Sequence, residues 1–123
     1  MTDRDIRQQA LYDALATRIL VLDGAMGTML QQANLTAEDF GGHQLEGCNE
    51  VLVRTRPDVI LNVHRAYYDA GSDIVETNSF GSTRIVLAEY GIQSEHSELN
   101  RLAAKLARQA ADEKSTPGRP RFV

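Results

Sequence analysis

The stretch Ile19-Leu20-Val21-Leu22-Asp23-Gly24-Ala25-Met26-Gly27-Thr28 passes from four apolar residues to an acid and then to a glycine-flanked turn. An unalternated apolar run of this kind is the pattern of a strand covered on both faces, as in a parallel sheet. Met26, Met29, Leu30 and Ala33 then fall at i, i+3, i+4 and i+7, which predicts a short helix over 24–33 with Asn34 as its left-handed cap. Asp23 has two readings. It caps the helix that follows it, a position Asp favours, or it stands at the mouth of a site at the C-terminal edge of a strand.

Working outward, Ile6, Ala10, Leu11, Ala14 and Leu15 recur at helical spacing behind a Thr2/Asp3 start, so residues 3–17 are expected to form an amphipathic helix that caps the end of a larger core. On the other side, Leu35-Thr36-Ala37-Glu38-Asp39-Phe40 carries the marks of a helix start: Thr36 as N-cap, acids in the first turn, and Leu35 placed to pack on Phe40. Residues 41–49 read as an irregular excursion. Pro57 then opens a helix with Val59, Ile60, Val63 and Tyr67 as its buried stripe and Gly71 as its end. Residues 73–77 follow as a second strand ending in Glu76-Thr77-Asn78, so that strand, helix and strand make a parallel pair with a right-handed crossover.

A short helix is expected over 82–90, closed by Gly91. A longer one opens at Ser94 with Leu99, Leu102, Ala103, Leu106, Ala107 and Ala110 in helical rhythm. After the break Ser115-Thr116-Pro117-Gly118, Phe122-Val123 reads as the start of a third strand. Two parallel strands with unpaired edges leave backbone groups open, so this organisation is expected of the opening third of a larger α/β domain.

Composition narrows the function. The chain has 123 residues, 42% of them hydrophobic, and 13 Lys+Arg against 17 Asp+Glu give a net charge of -4. With no basic block, neither nucleic acid nor an acidic membrane surface is an expected partner. The apolar run 19–22 is far short of the ~20 residues of a bilayer span, the first residues lack the apolar core of a signal peptide, and the expected compartment is the cytoplasm. The single cysteine, Cys48, cannot fill a structural zinc site, which wants about four ligands; it reads as a loop cysteine without a special role. His43, His64 and His96 show no spacing that argues for a base or a metal site. His64 falls beside a buried helical stripe, and Tyr67-Tyr68 at the edge of the core.

A dinucleotide fold fails because Gly24-Ala25-Met26-Gly27 lacks the opening G-x-G and the second strand ends some fifty positions on rather than about 20. Nor does any P-loop lysine follow. What remains is Asp23 and Glu76, two acids at strand ends that would face one mouth, beside N–H groups at a helix start that can receive an anion. Carboxylates for a cation next to amides for an anion suit the zwitterionic end of an amino acid. On pattern alone, Glu76 is equally an acid that is simply solvated.

The segments LDGAMGTMLQ, EGCNEVLVRTRPDVI, HRAYYDAGSDIVETNSFGST and LNRLAAKLARQAADE, in this order and spacing, resemble the homocysteine S-methyltransferase family, and within it the homocysteine-binding region of the cobalamin-dependent methionine synthases. The resemblance runs from about residue 14 to 123. It implies an α/β fold, the N-terminal portion of a (β/α)8 barrel with about two β/α units and the start of a third strand. Residues 1–18 would be an N-terminal helical extension and residues 19–123 a partial homocysteine-binding barrel domain. By the same resemblance Asp23 stands near the homocysteine amino group, the backbone of Gly24 and Ala25 meets its carboxylate, and Glu76, Thr77, Asn78 and Phe80 line the pocket.

The implied chemistry is transfer of a methyl group from methylcobalamin, regenerated from 5-methyltetrahydrofolate, to a zinc-bound homocysteine thiolate. The implied partners are homocysteine and the folate-binding and cobalamin-binding domains of the same enzyme. Two departures stand out: Ala25 replaces the family's usual second glycine, and Cys48 matches none of its three zinc-ligating cysteines. The segment by itself is therefore expected to hold neither zinc nor cobalamin, to lack any catalytic residue, and to be inactive. Alternatives are a cobalamin-independent homocysteine methyltransferase using betaine or S-methylmethionine, and a short non-catalytic protein that self-associates through open sheet edges.

Overall fold

A computed structural model describes residues 1–123. Helix α1 (Asp3–Thr17) begins at a capping box in which the Thr2 N–H donates to Asp5 Oδ2 at 2.8 Å and the Asp5 N–H to Thr2 Oγ1 at 3.2 Å. The helix forms where its spacing predicts, yet none of its residues is buried, and Ile6, Tyr12 and Leu15 face solvent.

Helix α2 (Met26–Gln32) starts two residues later than predicted, because Gly24 and Ala25 stay outside it. Asn34 does take the left-handed conformation, at φ 51°. Thr36 and Asp39 close a second capping box on α3 (Ala37–Phe40), where Phe40 is buried and Leu35 packs against the core. The expected excursion contains two 3-10 turns, His43–Leu45 and Asn49–Val51, the second leading into α4 (Leu52–Thr55). Val51, Leu52 and Val53 are all buried there.

The body of the molecule is α5 (Pro57–Ala70) laid against α7 (His96–Lys114). Buried Ile60, Leu61, Val63 and Tyr68 of α5 share a core with Leu99, Ala103, Leu106, Ala107, Ala110 and Ala111 of α7, whose alanines let the helices approach closely. Arg65 clasps Glu113 with two bonds of 2.7 and 2.9 Å, and Lys114 meets Asp69 at 2.7 Å along the same seam. Gly71, at φ 116°, ends α5 as its position predicts. The helix expected over 82–90 divides into α6 (Arg84–Leu87) and a 3-10 turn, Ala88–Tyr90.

The α/β expectation is overturned. The chain is predominantly helical and forms no strand and no sheet, so it is not the opening of a (β/α)8 barrel but a small helical unit. The three apolar segments do run side by side, but they touch only at isolated parallel bridges, Leu22 to Ile74 and Ile74 to Phe122. Around the first, Ile74 N–H reaches Val21 O at 3.2 Å and Asp23 N–H reaches Ile74 O at 2.9 Å.

Side chains stop the ladder at both ends. The next N–H of a parallel ladder on one side is that of Val21, and the Asp73 carboxylate takes it at 2.9 Å. On the other side it is that of Glu76, and the Asp23 carboxylate takes it at 3.1 Å. Ile19, beyond this contact, is 90% exposed. The apolar runs were legible, but the acids bounding them convert would-be strands into single rungs.

Candidate functional site

Asp23 and Glu76 come together as the shared mouth predicts. The segments Asp23–Met26 and Glu76–Phe80 line one open cleft of about 390 Å³, which contains all seven residues singled out from the sequence: Asp23, Gly24, Ala25, Glu76, Thr77, Asn78 and Phe80. A larger cleft, of about 510 Å³, lies among α2, α3 and Gly47–Asn49, but no titratable side chain lines it.

The capping reading of Asp23 is not realised. The N-cap of α2 is Ala25, which has no side chain to offer, and the Asp23 carboxylate instead accepts the Glu76 N–H. Asp23 thus ties the two walls of the cleft together. Burial pushes its carboxyl above the usual carboxylate range; the Glu76 N–H pulls the other way, and the Glu76 charge adds to the rise. Glu76 is exposed at the opening. No Lys, Arg or His lines this cleft, so its charge comes from the two acids.

Tyr67, read from the sequence as an edge-of-core residue, sets the first wall. Its hydroxyl donates to Ala25 O at 2.6 Å, and a Cβ on Gly24 would lie 3.2 Å from the same hydroxyl oxygen. The glycine at 24 answers to this close approach, and the Ala25 backbone is pinned without a second glycine. On the other wall, the Asn78 amide is buried and donates to Asn49 O at 2.9 Å, so that side chain is engaged in structure. Thr77 and Ser79 share a hydroxyl–hydroxyl hydrogen bond of 2.5 Å. Phe80 is fully exposed at the rim.

Two further residues escaped the sequence reading because their partners lie far along the chain. Glu50 accepts the Gly81 N–H at 3.0 Å. Asp73 is buried, bonds the Val21 N–H and meets Arg18 at 3.0 Å. Burial opposes the ionised form of Asp73, but the Val21 N–H and the Arg18 guanidinium outweigh it and hold the carboxyl below its ordinary value.

The residues present do not fit a zinc site. No three His, Cys, Asp or Glu side chains converge in a group able to hold a metal ion. Cys48 is part of the core, its thiol 3.8 Å from Glu50 Oε2, and burial pushes its pKa up, away from the thiolate a metal would need. His64 lies fully buried on α5, neither ring nitrogen has a partner, and desolvation lowers its pKa to about 4. His43 and His96 lie apart from the cleft. No helix is long and apolar enough to cross a membrane.

An α-helical unit with a paired-carboxylate cleft is matched over residues 20–123 by the family model for homocysteine S-methyltransferase, and the chain belongs to that family. It is 47% identical over 121 residues to the methionine synthase of Mycobacterium tuberculosis, a match that covers 98% of this chain and 10% of that protein. It is 50% identical over 113 residues to the methionine synthase of Mycobacterium leprae, covering 92% and 9% respectively. The chain therefore spans about a tenth of the length of these curated relatives.

Proposed function

We propose that this chain is the homocysteine-facing segment of a methionine synthase, and that its cleft holds the amino-acid end of homocysteine. The observation that carries this reading is the pairing of Asp23 and Glu76 in one cleft that no cationic side chain lines. An α-ammonium group supplies the missing positive charge, and two carboxylates hold it with charge-assisted hydrogen bonds. The backbone at Gly24 and Ala25, fixed by Tyr67, faces the substrate carboxylate. Thr77, Asn78 and Phe80 shape the rest of the wall.

The role of these residues in the reaction is to bind and orient. Holding the amino-acid end leaves the sulfur free to take a methyl group, so that a sulfur–carbon bond forms, the methyl carrier departs and the product is methionine. The zinc, methylcobalamin and folate implied by the family resemblance belong to other parts of the longer protein. In this reading the 123 residues alone do not turn over.

Two relatives named methionine synthase, aligned over nearly the whole chain, support this reading over a short self-associating protein. The test compares homocysteine with 4-mercaptobutanoate, which keeps the thiol and carboxylate but lacks the amino group, as ligands of the full-length protein. A site built on the two carboxylates binds the analogue at least about tenfold more weakly, since the charge-assisted hydrogen bonds to the ammonium group are lost. Equal affinity for the two contradicts it.

A further inference from the structure

We infer that Glu50 is a positioning residue for this cleft, fixing the wall that carries Asn78 and Phe80; the inference rests on the homocysteine reading. Glu50 lies outside the cleft lining, and no individual role attaches to it in the sequence. Its two carboxylate oxygens are separately engaged. Oε1 accepts the Gly81 N–H at 3.0 Å, and Oε2 accepts the Cys48 thiol at 3.8 Å. One residue earlier, the Asn49 carbonyl accepts the Asn78 amide at 2.9 Å. Residues 48–50 therefore grip residues 78–81 at two points, across about thirty positions of sequence.

The grip is also steric. A Cβ on Gly81 would stand 2.7 Å from Glu50 Oε1 and 3.2 Å from Val86 Cγ1, so a side chain at 81 displaces the carboxylate from its present place against the Gly81 N–H. Behind the turn, the Ser82 carbonyl accepts the Asn100 amide at 3.0 Å, which ties the far end of the segment to α7. The Thr77–Ser82 turn lies outside any helix and closes on itself through the Ser79 N–H to Thr77 O at 2.9 Å and the Ser82 N–H to Ser79 O at 3.0 Å. Its placement against the rest of the molecule is set by the side-chain anchors, and Glu50 supplies the charged one.

The functional consequence is a division of labour. Asp23 and Glu76 meet the ligand, while Glu50 sets where the Asn78–Phe80 wall stands relative to them. Loss of the anchor lets the wall move and weakens substrate binding while leaving the reacting sulfur and its methyl donor untouched. The effect belongs to affinity rather than to turnover.

The experiment measures homocysteine affinity by calorimetry, and kcat and KM, in the full-length protein and three variants. Glu50→Ala should raise the Kd and KM for homocysteine about tenfold, with kcat within about twofold of wild type. Glu50→Gln, which keeps an acceptor oxygen for the Gly81 N–H, should recover most of that loss. Gly81→Ala attacks the same contact from the other side and should weaken binding comparably, so the claim stays testable if Glu50→Ala does not fold. Wild-type affinity in Glu50→Ala, or in Gly81→Ala where Glu50→Ala does not fold, overturns the inference, as does a loss of kcat with KM unchanged. A wild-type protein that binds no homocysteine overturns the underlying reading, and is told apart because it fails before any variant is made.

Discussion

The Asp23 carboxylate accepts the backbone N–H of Glu76 at 3.1 Å, so the two acids of the cleft are joined by a bond that only one of their side chains makes. This contact ends the pairing of the two apolar segments on the cleft side, as Asp73 does at the other end, and brings the carboxylates to one mouth. It also separates two roles of Asp23 that substitutions can distinguish. Asp23→Asn keeps an acceptor for the Glu76 N–H and removes the charge; it should weaken homocysteine binding about tenfold while changing stability by less than about 1 kcal/mol. Asp23→Ala removes both, and should cost a further 1–2 kcal/mol or so in chemical denaturation.

Tyr67 and Gly24 form a second pair whose coupling is measurable. Tyr67→Phe deletes the 2.6 Å bond to Ala25 O and should destabilise the chain by about 1 kcal/mol. Gly24→Ala places a methyl 3.2 Å from the Tyr67 hydroxyl oxygen. Its cost in thermal unfolding should shrink in the Tyr67→Phe background, a non-additivity expected of residues in contact.

His64 predicts an acid sensitivity. Its pKa is about 4 in the folded chain against 6.5 as its ordinary value, so between these pH values the unfolded state binds more protons than the folded one. Stability is full above pH 6.5 and falls as the pH drops towards 4, by at most about 3 kcal/mol from this group. His64→Leu should flatten that part of the profile measured by urea unfolding. An unchanged slope contradicts the assignment.

Asp73 acts in the same sense as His64, at lower pH. Its folded pKa is depressed, so the stability it contributes is present above the ordinary carboxylate value of 3.8 and is lost as pH falls through the lower folded value. At neutral pH, Asp73→Ala strips the Val21 N–H and the Arg18 guanidinium of their common partner and should cost about 2–4 kcal/mol. Arg18→Ala should cost less, because Arg18 is 40% exposed and the Val21 bond survives.

These pairs explain what could be read from the chain and what could not. Helix α1, the Pro57 start and Gly71 end of α5, and the apolar face of α7 are local signals, carried by capping residues and helical spacing, and each appears where the residues place it. The runs 19–22 and 73–77 carry strand composition, but whether a strand forms depends on partners fifty positions away. There Asp73 and Asp23 cap the rungs with side chains. The same distance hid Tyr67 and Glu50, whose hydrogen bonds to the cleft walls join residues 42 and 31 positions apart. Asp23 and Glu76 were legible because an acid closing an apolar run is conspicuous without knowledge of its partner.

The most direct measurement is a calorimetric titration of homocysteine into the full-length protein and into its Asp23→Asn/Glu76→Gln double variant. The account predicts saturable binding by the wild type and a loss of about a hundredfold in the double variant, the expected sum of two charge-assisted contacts to one ammonium group, with unfolding temperatures that stay close. Equal affinity in the two proteins would contradict the assignment of this cleft to the amino-acid end of homocysteine.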